Sequence, residues 1–453
     1  MSYRTDPVVL AEGEEGAVPV HLVRDRDLAT LPPRLREWAD HVGWKGKPFE
    51  HLIAPSDGDG AALAFGWPAS DHPRAALAAG ALADLPFETI RFADTPPEPT
   101  LAAIGHALGA YDFAAYRKAK HRARLVLPDG ADRAHVSRMT RATFLARDLV
   151  NTPANDMGPA EIERAVHELA SEFEAEVAVT SGEDLRTGFP MIHAVGRASA
   201  EMPRLIDLTW GEPDDARVTL VGKGVAFDTG GLNIKPGSSM ALMKKDMGGA
   251  ANVLGLALAI MDARLPVRLR VLVPAVENAI AGNAFRPGDV LPSRKGPTVE
   301  IGNTDAEGRL ILADALALAD EEEPEILIDM ATLTGAARVA LGADLPPFYT
   351  KDDAFAQRLE AAARATSDPL WRMPLWPPYD EKLSSPVADV SHISSGGMAG
   401  SITAALFLQR FVERAATWVH LDVYGWAPDA KPWAPVGGEA QGIRALYEVI
   451  AAR

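Results

Sequence analysis

From about residue 175 onward the chain alternates short β-branched runs with helical stretches, and this restricts the available folds more than any other feature. The pattern predicts strands over 176–179, 204–210, 217–221, 267–273, 325–329 and 418–423. Helices of about four turns fill several of the gaps. Strands and helices in alternation point to an α/β fold with a mixed, mostly parallel sheet sandwiched by helices. The earlier part reads differently. It carries candidate strands over 61–67 and 89–92, candidate helices over 75–83 and 101–108, and Pro- and Gly-containing breaks. With 453 residues the chain is too long for one ordinary domain. The expected division is a small N-terminal α/β domain (1–135), a linking helix (136–152) that Pro153 stops, and a larger catalytic domain (153–453).

Open α/β sheets place their sites beyond the C-terminal ends of the strands. The strand predicted over 217–221 runs there into a Gly-rich loop carrying Lys223, Asp228 and Lys235. Asp246 precedes an apolar helical stretch over 247–260, where it can cap the helix and leave one oxygen for a ligand. In Ile301-Gly-Asn-Thr-Asp-Ala-Glu-Gly-Arg-Leu310, Asp305, Glu307 and Arg309 occupy alternate positions. On an extended segment such positions point the same way. Carboxylates brought together repel unless a cation or a shared proton lies between them. Asp228, Asp246, Asp305 and Glu307 carry four negative charges, which two divalent cations would neutralise. An oxygen-rich set without cysteine or a nearby histidine suits a hard metal site. Lys223 could be a neutral amine ligand or a salt-bridge partner, and its position alone leaves both open. In the N-terminal part, His51, His72, His106 and His121 are scattered, with no metal-ligand spacing.

The segment from Asn303 to Leu310, with Gly222-Lys-Gly224 and Phe227-Asp-Thr-Gly-Gly231 upstream, resembles the leucyl aminopeptidases, the di-metal cytosolic exopeptidases. The likeness runs from about Arg147 to the C-terminus and includes Ala331-Thr-Leu-Thr-Gly335 and His420-Leu-Asp422; the first part of the chain carries little of it. It implies that Asp228 and Glu307 bridge two metals, that Asp305 completes one position, and that Lys223 and Asp246 complete the other. Mn or Zn would be the leading metals, with Mg or Co as further candidates. A hydroxide held by both metals would attack the peptide bond, Lys235 would polarise the carbonyl, and Arg309 would hold a bicarbonate that shuttles protons. Met243 and Thr332 would line the pocket for the first substrate side chain, and Asn303 and Gly335 would flank the cleft. Substrates would be peptides with a free N-terminus and a Leu-like first residue. A homo-hexamer in the cytoplasm is the implied working form. Arg338 departs from the family's apolar or small residues; near the second-residue pocket it would favour Asp or Glu second.

The alternatives are weaker. No Walker loop, Gly-x-Gly-x-x-Gly turn or His-Glu-x-x-His motif is present. A formal charge of −17 repels nucleic acid at long range, which disfavours the runner-up, a DNA-binding architectural protein on the same scaffold. Residues 1–15 lack a signal-like apolar region, no apolar run is long enough to span a bilayer, and cysteine is absent, as suits a reducing compartment.

Overall fold

The computed structural model describes residues 9–55 and 61–453. The first eight residues of the segment read above for a signal lie outside them. The chain divides into two compact units, one of residues up to Phe144 plus Ala427–Val436, the other of Leu145–Trp426 plus Gly437–Arg453. The helix Arg133–Asn151 contains the division point.

The first unit is built on β1 (Leu10–Ala11), β2 (Val18–Val23), β3 (His51–Ala54), β4 (Ala62–Gly66), β5 (Thr89–Phe92) and β6 (Arg124–Val126). Their spatial order is β1-β6-β5-β2-β4-β3, parallel except for β3 against β4. The sequence gives little hint of β2, because Pro19 argues against an inner strand. The structure accommodates it by pairing Pro19 with β5 only, while the β4 ladder begins at Val20. The helix expected over 75–83 is a 3-10 helix, Ala75–Leu82. Small residues there draw the backbones very close: a Cβ on Gly105 would lie 2.6 Å from the Leu77 carbonyl oxygen, and one on Gly80 would lie 2.4 Å from that of Pro432.

In the second unit the strands are β7 (Glu176–Ser181), β8 (Arg204–Trp210), β9 (Ala216–Gly222), β10 (Gly224–Asp228), β11 (Val267–Asn278), β12 (Val290–Pro292), β13 (Thr298–Glu300), β14 (Ile326–Ala331), β15 (Pro347–Tyr349), β16 (Trp371–Arg372), β17 (Val390–Ser391) and β18 (Thr417–Asp422). β12, β13 and β17 form a separate small sheet. The main sheet runs β16-β15-β18-β14-β9-β11-β8-β7, and β10 also pairs with β11. Its centre, β18-β14-β9-β11, is parallel; β15 against β18 and β11-β8-β7 are antiparallel. Every expected strand of this unit is present, and β11 continues five residues beyond the expected end, to Asn278.

Helix Gly248–Asp262 is buried along nearly its whole length, as a helix apolar on all sides must be. Helix Gly308–Asp320 places Ile311, Ala315 and Leu316 in one apolar cluster with Val221, Leu272 and Leu327 of the sheet. Its last residue, Asp320, is buried and accepts hydrogen bonds from the backbone N–H groups of Glu413, Arg414 and Ala415 at 2.8–3.0 Å. These fix the chain's entry into β18. Asp320→Ala would strand three donors, so a loss of about 2–4 kcal/mol in unfolding free energy is expected by urea titration. An unchanged midpoint would contradict this. Among the described residues no helix is long and apolar enough to cross a membrane.

Candidate metal centre

The site grows from the C-terminal ends of three adjacent parallel strands. β9 ends at Gly222, which lies opposite Met330 of β14, and Ala331 of β14 lies opposite Asp422 of β18. Lys223, Thr332 and Asp422 therefore emerge along one rim. Lys223 donates its backbone N–H to the Met330 carbonyl at 3.0 Å. The short β10 then carries the chain to Asp228, after an irregularity between Val225 and Asp228 in its pairing with β11. Asp228 Oδ1 accepts from the Gly230 N–H and from Asn278 Nδ2, both at 2.8 Å. Gly230 has φ 86°, and a Cβ there would lie 2.5 Å from the Asn233 carbonyl oxygen, so this turn requires glycine.

Two expectations about local geometry are corrected. Asp305, Glu307 and Arg309 are not on an extended segment. Asp305 lies in a 3-10 turn, Thr304–Ala306, capped by the Asn303 side chain, which accepts from the Asp305 N–H at 2.9 Å. Glu307 is the N-cap position of helix Gly308–Asp320, and Arg309 is in its first turn. The coil, rather than alternation, turns Asp305 and Glu307 inward. Asp246 does not cap helix Gly248–Asp262; Met247 holds that position without a side-chain bond. Asp246 instead lies in the 3-10 turn Met243–Met247, and its Oδ1 and backbone carbonyl both accept from the Thr332 hydroxyl at 2.9 Å.

The four carboxylates converge with two lysines between them. Lys223 Nζ lies 2.7 Å from Asp246 Oδ2 and 3.0 Å from Glu307 Oε1, and donates to the Thr332 carbonyl at 2.9 Å. Lys235 Nζ lies 2.8 Å from Asp228 Oδ2 and 2.5 Å from Asp305 Oδ1. Carboxylate oxygens of Asp228, Asp305 and Glu307 lie within 4.8 Å of one another. Lys223, Asp228, Asp246 and Glu307 are buried, while Asp305 keeps 31 % of its side chain exposed.

This crowding shifts their acidities. Burial, then repulsion from Asp228, pushes the Glu307 carboxyl up to about 7. Burial and Asp246 push Asp228 up to about 6 against the pull of Lys235. Burial raises Asp305 as well. Burial opposes the Lys223 ammonium, but Asp246, Glu307 and Asp228 outweigh it and raise its pKa above the ordinary lysine value. Asp246 is the exception: burial opposes its charge, yet Lys223 and Lys245 hold its pKa below the usual range. Glu307 Oε2 is buried with no hydrogen-bond partner. Short of positive charge, with an unpaired carboxylate oxygen, this donor set fits divalent cations.

Not every expected site residue lines the opening. Lys223, Asp228, Lys235, Met243, Asp246, Asp305, Thr332, Gly335 and Arg338 border one cavity of about 230 Å³. Glu307, Asn303 and Arg309 do not border it. Arg309 is buried, donates from Nη1 to the His392 carbonyl at 2.8 Å, and leaves Nε unpartnered. Burial pushes its pKa down to about 10, offset by Asp422 and Glu307, so the group stays cationic. An unpartnered buried guanidinium N–H suits a small oxyanion.

The sequence reading gave no role to four supporting residues. Asn278 bridges Asp228 and the Thr304 carbonyl, tying two carboxylate-bearing segments together. The Glu277-Asn278 pair shares the family resemblance, but nothing local assigned Asn278 a role. His392, 83 positions from Arg309, donates from Nε2 to the Asn303 carbonyl at 2.9 Å and accepts at Nδ1 from the Gly302 N–H. Burial, then Arg309, pushes it down to about 4, so it is neutral. Nothing local in the sequence signals it. The other two, Lys245 and Tyr424, lie on the cavity wall. Burial pushes the Lys245 amine down to about 8.

A family model described as the cytosol aminopeptidase family, catalytic domain, matches residues 144–447. A probable cytosol aminopeptidase of Syntrophotalea carbinolica is 46% identical over 311 residues, which cover 68% of this chain and 62% of that protein, under two thirds of its length. One of Roseiflexus castenholzii is 42% identical over 376 residues, covering 78% of this chain and 77% of that one. Among solved structures, a cytosol aminopeptidase from Coxiella burnetii superposes with a TM-score of 0.92 at 44% identity, over 98% of this chain and 99% of the other. The bottromycin maturation enzyme BotP, solved in complex with Mn, gives 0.88 at 35% identity over 96% and 99%.

Proposed function

Because the chain belongs to the cytosol aminopeptidase family, we propose that it is a metal-dependent aminopeptidase removing single residues from unblocked peptide N-termini. One observation carries the reading: four carboxylates from three separate segments close around one cleft, short of positive charge. Asp228 and Glu307 would each reach two divalent ions, Asp305 would serve one, and Lys223 with Asp246 the other. Manganese is the leading candidate, since BotP was solved with it; zinc is the next. When bound, the ions supply an acidified water and an electron-poor scissile carbonyl, and bicarbonate supplies a proton relay.

The rest falls to the chain's own side chains. Lys223 can act as a ligand only as the neutral amine, and the Thr332 carbonyl keeps Nζ oriented toward the cleft. Lys235, set between Asp228 and Asp305, would hold the oxygen that gains charge as the carbonyl is attacked. Arg309 would hold the bicarbonate, and its unpartnered Nε is the donor left for it. The neutral His392 is committed to the Asn303 carbonyl, so it is not available to move protons. A hexamer remains part of the proposal; the exposed apolar side chains of Val339 and Met398 are surface that another copy could cover.

The test is product analysis with and without metal. The Mn-loaded protein is expected to shorten unblocked peptides by one N-terminal residue at a time and to leave their N-acetylated forms intact. Chelation should abolish cleavage, and Mn or Zn should restore it. Internal cleavage, cleavage of acetylated peptides, or full activity after chelation would overturn the assignment.

A further inference from the structure

The cavity beside the carboxylate cluster has a cationic wall that neither the metal ligands nor the proton relay uses. Lys245, one position before Asp246, is only 5 % exposed, and its Nζ stands 4.8 Å from the centre of the Tyr424 ring. The Arg338 guanidinium, from helix Gly335–Leu341, stands 5.0 Å from the centre of the same ring. All three residues line the cavity that Met243 and Thr332 also line. Neither cation makes a salt bridge or a side-chain hydrogen bond among the described residues. Lys244 contrasts with its neighbour, for it turns away and donates to the Asn151 carbonyl at 2.6 Å.

The acidic groups around the cavity have other partners. Asp246 is held by Lys223 and Thr332, and Asp228 and Asp305 by Lys235. Asp422 accepts from the N–H groups of Leu333 and Thr334 and from the hydroxyls of Thr334 and Ser401. An aromatic face recovers only part of what burying an ammonium costs. Two cations converge on one ring and open to a cavity, and although Lys245 feels the field of Asp246, neither is in a salt bridge among the described residues. Met243 and Thr332 border the same cavity, and by the family resemblance they would line the compartment for the first residue's side chain.

We infer that the first-residue pocket recognises a carboxylate, so that peptides beginning with Glu or Asp are preferred over those beginning with Leu. Lys245 and Arg338 are the specificity-determining residues, and Tyr424 holds both heads at the pocket wall. This rests on the aminopeptidase reading, replaces its Leu-like first residue, and moves the acidic preference from the second position of the substrate to the first.

The experiment compares kcat/KM of the Mn-loaded protein on the p-nitroanilides of Glu, Gln and Leu. These carry no second residue, and Gln matches Glu in shape without the charge. Glu is expected to exceed both others by roughly tenfold or more, as a charge-assisted contact provides. Lys245→Met with Arg338→Leu should erase that margin, and Arg338→Glu should shift preference toward Lys and Arg substrates. A calorimetric titration gives a readout apart from turnover: free glutamate should bind more tightly than glutamine, and the double variant should not distinguish them. A second arm uses Leu-Glu and Leu-Leu dipeptides. Discrimination confined to this arm would place the anion at the second residue and overturn the inference. Leu-p-nitroanilide cleaved as fast as Glu-p-nitroanilide would overturn it while leaving the aminopeptidase standing. Failure to cleave any of these substrates would remove both.

Discussion

Glu307→Ala is expected to lower kcat/KM on an unblocked peptide by on the order of 10⁴-fold, the largest single-residue effect in the molecule. The carboxylate is buried behind the cavity wall, 1 % exposed, with one oxygen on Lys223 and the other unpartnered. Metal titration is expected to give two tight sites in the wild type and one in the variant. Stability should move the other way. Burial and Asp228 hold this carboxyl near 7, so its charge burdens the metal-free fold at neutral pH. Glu307→Gln, which keeps the shape, should therefore raise the metal-free melting temperature while abolishing the gain that metal confers. Near-normal activity in the alanine variant, or two tight metal sites, would remove Glu307 from the centre.

The second large effect is at Lys235. Lys235→Ala should reduce kcat by roughly 10²–10³-fold, the usual range for a lost donor at a developing oxyanion, with a smaller change in KM. The ammonium also separates Asp228 from Asp305. Its loss should thus destabilise the metal-free protein and leave the metal-loaded form nearly unchanged, since divalent ions screen the same pair. A kcat within a few-fold of the wild type would show that Lys235 serves only as a counter-ion.

The sheet was legible because its centre is parallel and buried, which writes β-branched runs into the sequence at 217–221, 267–273 and 325–329. The carboxylates were legible because each stands where an apolar element begins or ends. Their local conformation was not. Asp305 and Glu307 fit alternation on paper, but the capping Asn303 and the following apolar run coil the segment. β2 was obscured by Pro19, a residue that sequence reasoning assigns to edges. His392 and Asn278 lay beyond reach for another reason. Their roles exist only once chain segments dozens of positions apart are brought together, and no local pattern encodes that. The cationic wall was half visible, since Arg338 stood out as a departure, but its convergence with Lys245 on Tyr424 is a property of the folded cavity alone.

Gly308 has a wider consequence. A Cβ at that position would sit 2.6 Å from Lys223 Cε and 2.8 Å from its Nζ, so the bare backbone leaves room for the lysine's extended chain. The two positions are thus mutually exclusive in bulk. A descendant of this scaffold that acquires even a methyl group at 308 must bend or discard the amine at 223. Such a shift would draw the ammonium away from Asp246 and Glu307, so the smallest residue at 308 keeps a long side chain in its place.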